Sequence, residues 1–164
     1  MKKIIAILII FSSIQAGLAQ NKKTDKALLV KNWIDTKMFV FYPQTAMPMS
    51  GNVRQLTPDF DLTINKDTLM SYLPYFGRAY NVEYGATQSP FNFTSTRFDY
   101  VVTAKKKGGW DIVITIKDAK EQITYMLSVS FSGYGSLQIT STNRQPISFN
   151  GYITELNGKH TNRK

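Results

Sequence analysis

Few side chains in this sequence could do chemistry, and their spacing argues against most of it. The chain has one histidine, His160, set in a polar C-terminal run from Asn157 to Lys164, and it has no cysteine. A histidine in such a tail is solvated, so no Ser-His-Asp arrangement can be built around it. Without cysteine there is no disulfide framework, no thiol nucleophile and no thiolate metal site. One histidine and singly scattered carboxylates do not make a metal centre either. Asp59 and Asp61 stand two residues apart on what reads as one strand face, and paired carboxylates can run acid–base chemistry or bind calcium. They fall on the polar side of a regular alternation, however, and read as a solvated face. Gly77 and the Gly108-Gly109 pair lack the context of a phosphate-binding loop. The sequence therefore predicts no catalytic residue, no metal and no cofactor: a non-enzymatic protein.

Binding is the chemistry that remains. Ser71 to Gly85 gathers Tyr72, Tyr75, Phe76, Tyr80 and Tyr84 around Arg78, and Pro74 and Gly77 interrupt any strand there. Tyrosine offers a flat apolar body with a polar tip, suited to a surface half buried and half wet. An arginine among the rings can hold a carboxylate or phosphate by two hydrogen bonds, or stack on a ring. One reading makes Tyr72, Tyr75, Arg78 and Tyr80 the rim of a binding cavity, with Arg144 a second basic group from a hairpin turn. Such a lining would suit an amphipathic or anionic small molecule. The other reading is an irregular crossover whose aromatics plug one end of the fold, with Arg78 bonded to loop carbonyls. In that case a protein partner, met through an aromatic patch or a strand edge, becomes the alternative function.

Lys105-Lys106-Lys107 offers a weak contact to an anionic surface, or simply a solvated hairpin shoulder whose charge opposes edge-to-edge aggregation. Two tags are short. Asn92-Phe93-Thr94 has the N-glycosylation pattern, and Asp67-Thr68-Leu69 resembles an acceptor for envelope glycosylation at Thr68.

The elements that must position these residues are mostly strands. Thr24 can cap a helix, and Ala27, Leu28, Lys31 and Ile34 follow at three- and four-residue spacing, so one helix of about three turns is expected between Thr24 and Met38. A short strand at Phe39–Phe41, ended by Pro43, follows. Further strands are expected near Val53, near Phe60 (Phe60, Leu62 and Ile64 inward) and near Leu69. From Arg97 to Ile153 five strands alternate strictly: Phe98 to Ala104, Trp110 to Ile116, Ile123 to Phe131, Leu137 with Ile139, and Ile147 with Phe149. A period of two means one face buried and one wet, as in antiparallel strands. The links Lys107-Gly108-Gly109, Asp118-Ala119-Lys120, Gly133-Tyr134-Gly135 and Asn143-Arg144-Gln145 suit hairpins. The expected fold is mainly β: an antiparallel up-and-down meander of eight or nine strands closing into a lipocalin-like barrel, or a sandwich, with one N-terminal α-helix over one end.

The start of the chain reads as a leader. Lys2 and Lys3 precede the eight apolar residues Ile4–Phe11 and then Ala16-Gly17-Leu18-Ala19, which places cleavage after Ala19. Eight residues fall short of the roughly 20 that span a bilayer. Removing 19 of 164 residues leaves 145, a single domain over 20–164 with its core at about 24–156. Without Lys2 and Lys3, 18 basic side chains face 11 acidic ones, a net of +7. A basic balance invites nucleic acid, but export argues against it, and charge alone speaks to attraction and solubility. With no cysteine to carry a lipid, the expectation is a periplasmic protein that is not an integral membrane protein.

The run Ser71-Tyr72-Leu73-Pro74-Tyr75-Phe76-Gly77-Arg78-Ala79-Tyr80, then Lys105-Lys106-Lys107-Gly108-Gly109, then Asn143-Arg144-Gln145-Pro146-Ile147-Ser148-Phe149-Asn150-Gly151, resembles a family of uncharacterised exported proteins from Bacteroidetes, the domain-of-unknown-function family 4251. The resemblance spans about Ala27 to Ile153. Members often carry a tyrosine pair before the last glycine, where this chain has Phe149-Asn150. The resemblance implies a compact β-rich domain similar to lipocalin-like barrels, with no assigned activity. It points to Arg78 and Arg144, which lie in its two most distinctive motifs.

Overall fold

The computed structural model describes residues 24–80 and 89–156; the expected leader with its cleavage site, Tyr84 and His160 lie outside them. Residues 24–36 form helix α1. Its buried face carries Val30 and Ile34, with Ala27 and Trp33 half-buried beside them, the spacing of one helical stripe. Leu28, expected on that stripe, is exposed. The helix stops before Met38 because Lys37 takes a left-handed φ of 55° and its N–H bonds back to Ile34 O at 3.3 Å. Among the described residues no helix is long and apolar enough to cross a membrane.

The strands are β1 Met38–Pro48, β2 Arg54–Gln55, β3 Asp61–Asn65, β4 Thr68–Leu73, β5 Phe91–Ser95, β6 Phe98–Ala104, β7 Trp110–Ile116, β8 Ile123–Val129, β9 Tyr134–Ser141 and β10 Arg144–Glu155. They form one antiparallel sheet in the order β5-β4-β3-β1-β10-β9-β8-β7-β6, with the short β2 against β1. Eight antiparallel steps separate β5 from β6, so these two edges run parallel. Yet they are joined by only Thr96 and Arg97. A flat sheet of nine strands would be about 38 Å wide. Three peptide links reach about 10 Å. The sheet must therefore curl until its edges nearly meet, which gives the expected up-and-down barrel, with β5 and β6 acting as one broken strand shared between the two edges.

Asp118, in the β7–β8 turn, holds that break. Its carboxylate accepts from Ser95 Oγ at 2.5 Å, Thr96 N at 3.0 Å and Arg97 N at 3.2 Å. The Ser95 hydroxyl, followed by these backbone bonds, holds the Asp118 carboxyl below its ordinary 3.8.

Three strand expectations need correction. Pro43 does not end β1. It sits buried opposite Gly151, where the register shifts before Thr45, and the irregularity accommodates a residue with no N–H. Phe131 is not part of β8, which ends at Val129; the ring lies half-exposed in the following turn. Asp61 is not solvated. It is 5% exposed and accepts a hydrogen bond from Thr63 Oγ1 at 2.8 Å. Asp61 to Ile64 are all buried because β3 is covered on both faces, and Val40, cross-strand partner of Thr63, is buried with them. The strand β5 was not among those expected, although its five residues do alternate.

The lumen is filled. Ile112, Ile114, Leu127 and Val129 meet Phe39, Phe41, Leu62 and Phe149 in one core, and Phe98 and Tyr100 pack at its side. At one end α1 closes it, tied by the Tyr100 hydroxyl donating to Ile34 O at 3.0 Å. At the other, Tyr75 and Phe76 pack against the same core.

Candidate functional site

The end closed by Tyr75 is built where β4 stops. Pro74 takes the chain off the sheet, and Tyr75 turns back so that its ring meets Phe91 edge-on at 5.4 Å. Its hydroxyl donates to Arg78 O at 2.7 Å, with Gln145 O at 3.1 Å as a second acceptor. The segment then runs against the β9–β10 turn. Gln145 N donates to Arg78 O at 3.0 Å, Tyr80 N donates to Asn143 O at 2.8 Å, and Ala79 bridges Arg144. The main chain of 78–80 is thus an extra rung that straps the crossover to β10.

Arg144 lies under this strap. Its Nε donates to Glu121 Oε1 at 3.1 Å, the two side chains being 16% and 13% exposed, and its guanidinium stands 5.7 Å from the Tyr75 ring centroid. Glu121 also accepts from Ser141 Oγ. The bond to Glu121 uses Nε; the two terminal nitrogens of Arg144 make no bond among the described residues. Burial pushes the Tyr75 hydroxyl above its ordinary value of 10.0, with Arg144 and the Gln145 bond pulling the other way. Tyr75 is therefore a neutral donor.

Beside the strap opens a cleft of about 570 Å³. One wall is aromatic: Phe60 and Tyr72 stack at 5.6 Å with their planes 23° apart. Asn92, cross-strand from Tyr72, adds an amide, Ser89 and Pro90 form the rim, and Tyr75 and Arg144 close the inner side. The Ser89 hydroxyl is already committed to Leu73 O. The free polar capacity is thus the Arg144 terminal nitrogens and the exposed Asn92, set against a flat apolar wall.

Of the five residues expected to bind, the fold brings Tyr72, Tyr75 and Arg144 to one cleft. Arg78 and Tyr80 do not line it. Arg78 contributes its backbone, including an N–H to Gln145 Oε1 at 3.3 Å, and Tyr80 is exposed. Phe60, Asn92 and Glu121 were not foreseen. Glu121 meets Arg144 only through the β8–β9–β10 register, which spacing in sequence does not supply. Of the three lysines, Lys105 turns onto the sheet, donating to Ser128 Oγ at 2.6 Å and lying 3.6 Å from Asp111. Thr68 is half-buried at the start of β4, paired with Asn65.

The cleft is therefore made by four separated stretches: Phe60, Tyr72 to Tyr75, Ser89 to Asn92, and Arg144 at the start of β10. Residues 21–153 match the family described as Domain of unknown function (DUF4251). The chain belongs to that family. This DUF4251 chain is also similar to the crystal structure of a DUF4251 family protein from Bacteroides eggerthii, with a TM-score of 0.59 and 13% identity over 79% of this chain and 87% of that one. At that identity the likeness is one of fold. No curated protein matches the DUF4251 chain.

Proposed function

We propose that this protein is an exported, non-enzymatic binding protein that holds a small amphipathic molecule in the cleft between Phe60, Tyr72 and Arg144. The carrying observation is that a stacked aromatic wall and an arginine with unengaged terminal nitrogens meet in one cleft while the barrel interior is filled. A ligand would lay an apolar face on Phe60 and Tyr72 and offer an acceptor oxygen to Arg144. Because Glu121 already offsets the arginine's charge, the site favours a polar acceptor as much as a full anion. The export reading rests on the leader-like first 19 residues, and a periplasmic address on the absence of cysteine for a lipid anchor.

Native mass spectrometry of protein purified gently from the expressing cell's envelope tests this. A small-molecule adduct that is lost on denaturation is expected. It should vanish in Tyr72→Ser and persist in Arg78→Ala, with both variants melting near the parent temperature. A bare monomer mass from every preparation would sink the reading. The denatured mass also reports cleavage after Ala19 and any sugar on Thr68.

A second reading has its own observation. β6 pairs with β7 alone, so its other edge carries no strand among the described residues, and Val101 and Val102 are exposed on it. Such an edge can take a partner's strand by main-chain hydrogen bonding. A co-purifying protein in the same spectrum would favour it.

A further inference from the structure

The end covered by α1 carries a different feature. Phe131 lies in the turn between β8 and β9 and is 51% exposed. One side of its ring meets Trp110 edge-on at 5.3 Å and borders Gly108. The rest faces a groove of about 740 Å³ that it shares with Ala27 of α1, with Lys26 and Lys107 on its walls. The groove's two serine hydroxyls are occupied, Ser130 with Ser132 and with Tyr134 O.

Lys26, Lys106 and Lys107 are exposed, and their side chains make no ion pair or hydrogen bond among the described residues. Five acids belong to this end: Asp25 and Asp35 on α1, Asp67 in the β3–β4 turn, Asp111 on β7 and Glu155 at the end of β10. Asp35 is paired with Lys31 and Asp111 with Lys105, and seven lysines (Lys26, Lys31, Lys37, Lys66, Lys105, Lys106 and Lys107) stand against the five. Lys22 and Lys23 immediately precede α1 in the sequence. The balance is basic, around one half-exposed aromatic ring.

We propose that this end docks on an anionic lipid bilayer, with Phe131 entering the headgroup layer and Lys26, Lys106 and Lys107 lying over the lipid phosphates. Charge complementarity favours this occupant over a protein. Lysine is depleted from protein interfaces, where its long hydrated chain must be ordered, but a fluid layer of phosphates accepts it without fixed geometry. Thr24 lines the groove, and Lys22 and Lys23 come directly before it in the sequence. The surface is separate from the Tyr72–Arg144 cleft and does not depend on it.

The test is co-sedimentation of the chain from Gln20 onward, which contains every described residue. Vesicles of phosphatidylcholine are compared with vesicles containing one part phosphatidylglycerol to two parts phosphatidylcholine. Binding is expected only to the anionic vesicles, and it should weaken as salt rises. Each lysine near such a surface is worth about fivefold, so the Lys106→Gln/Lys107→Gln double variant should bind about 25-fold more weakly. Those side chains have no partners, so the variant should melt normally. Phe131→Ser should lower binding further; if it fails to fold, the lysine variant decides alone. Failure to bind anionic vesicles, equal binding to both kinds, or indifference to the lysine changes would overturn the proposal. So would a dimer that Phe131→Ser abolishes, which assigns the groove to a second copy. Binding of free laurate without vesicle binding would assign it to a monomeric amphiphile and overturn it equally.

Discussion

Gly151 shows how much a single position can hold. It lies on β10 opposite Pro43, where β1 shifts register, and a Cβ built there would fall 2.0 Å from Tyr42 O and 3.0 Å from Pro43 Cα. Both are backbone atoms, so the longest strand pair would have to separate to admit a methyl group. Gly151→Ala should cost about 2 kcal/mol or more, read as a lower denaturation midpoint in urea. At this scale the sequence was partly legible. The glycine closes a run that stood out as a motif, but its reason is the bulge made by Pro43, more than 100 residues earlier. Tyr72, Tyr75 and Arg144 were legible because aromatic and guanidinium groups beside proline and glycine announce a surface site. Arg78 looked equivalent to them. What separates it is backbone hydrogen bonding with Gln145, and residue types carry no record of that.

Among the elements, the join between β5 and β6 depends on one carboxylate. Asp118 gathers Ser95, Thr96 and Arg97, so Asp118→Ala should speed amide exchange at Thr96 and Arg97 while leaving β8 and β9 protected. Its lowered pKa gives a pH dependence of definite sign. The folded state favours the ionised form, so the contribution is present above the unfolded value of 3.8 and is lost as pH falls through the lower folded value. Acid titrations of the parent and of Asp118→Ala should therefore converge at low pH; curves that stay parallel would remove Asp118 from that role. The meander β6–β10 was legible because each strand keeps one wet face. β5 was not, since its alternation, Phe91 and Phe93 inward and Asn92 and Thr94 outward, lasts only five residues and leaves little periodicity to detect. β3 misled for the opposite reason: it alternates well, but both of its faces are covered, and Asp61 lies under one of them.

For the molecule as a whole, the filled interior has a spectroscopic consequence. Tyr125 is fully buried in the core, where its hydroxyl donates to Ser71 Oγ at 3.1 Å, and Tyr100 is pinned beneath α1. Burial raises the pKa of both hydroxyls well above the ordinary 10.0. The neutral ring is the form that the fold prefers, so this stabilisation is complete below pH 10 and declines as pH rises beyond it. In an alkaline absorbance titration these two of the nine tyrosines should stay silent until the fold melts, then ionise together with it. An early ionisation of all nine would mean that the interior admits water. That the barrel is packed was not readable from alternation, which marks inward positions without saying whether they meet across the axis. One feature of the topology also bears on how the chain comes to be folded. The seam of β1 with β10, from Phe39 against Glu155 to Pro48 against Ile147, joins the first strand made to the last. A polypeptide emerging from its N-terminus gives β1 one neighbour early and leaves the other side bare until the final strand arrives. Contacts so distant in sequence form slowly. Closure of the β1–β10 seam is thus deferred until the last strand has been made.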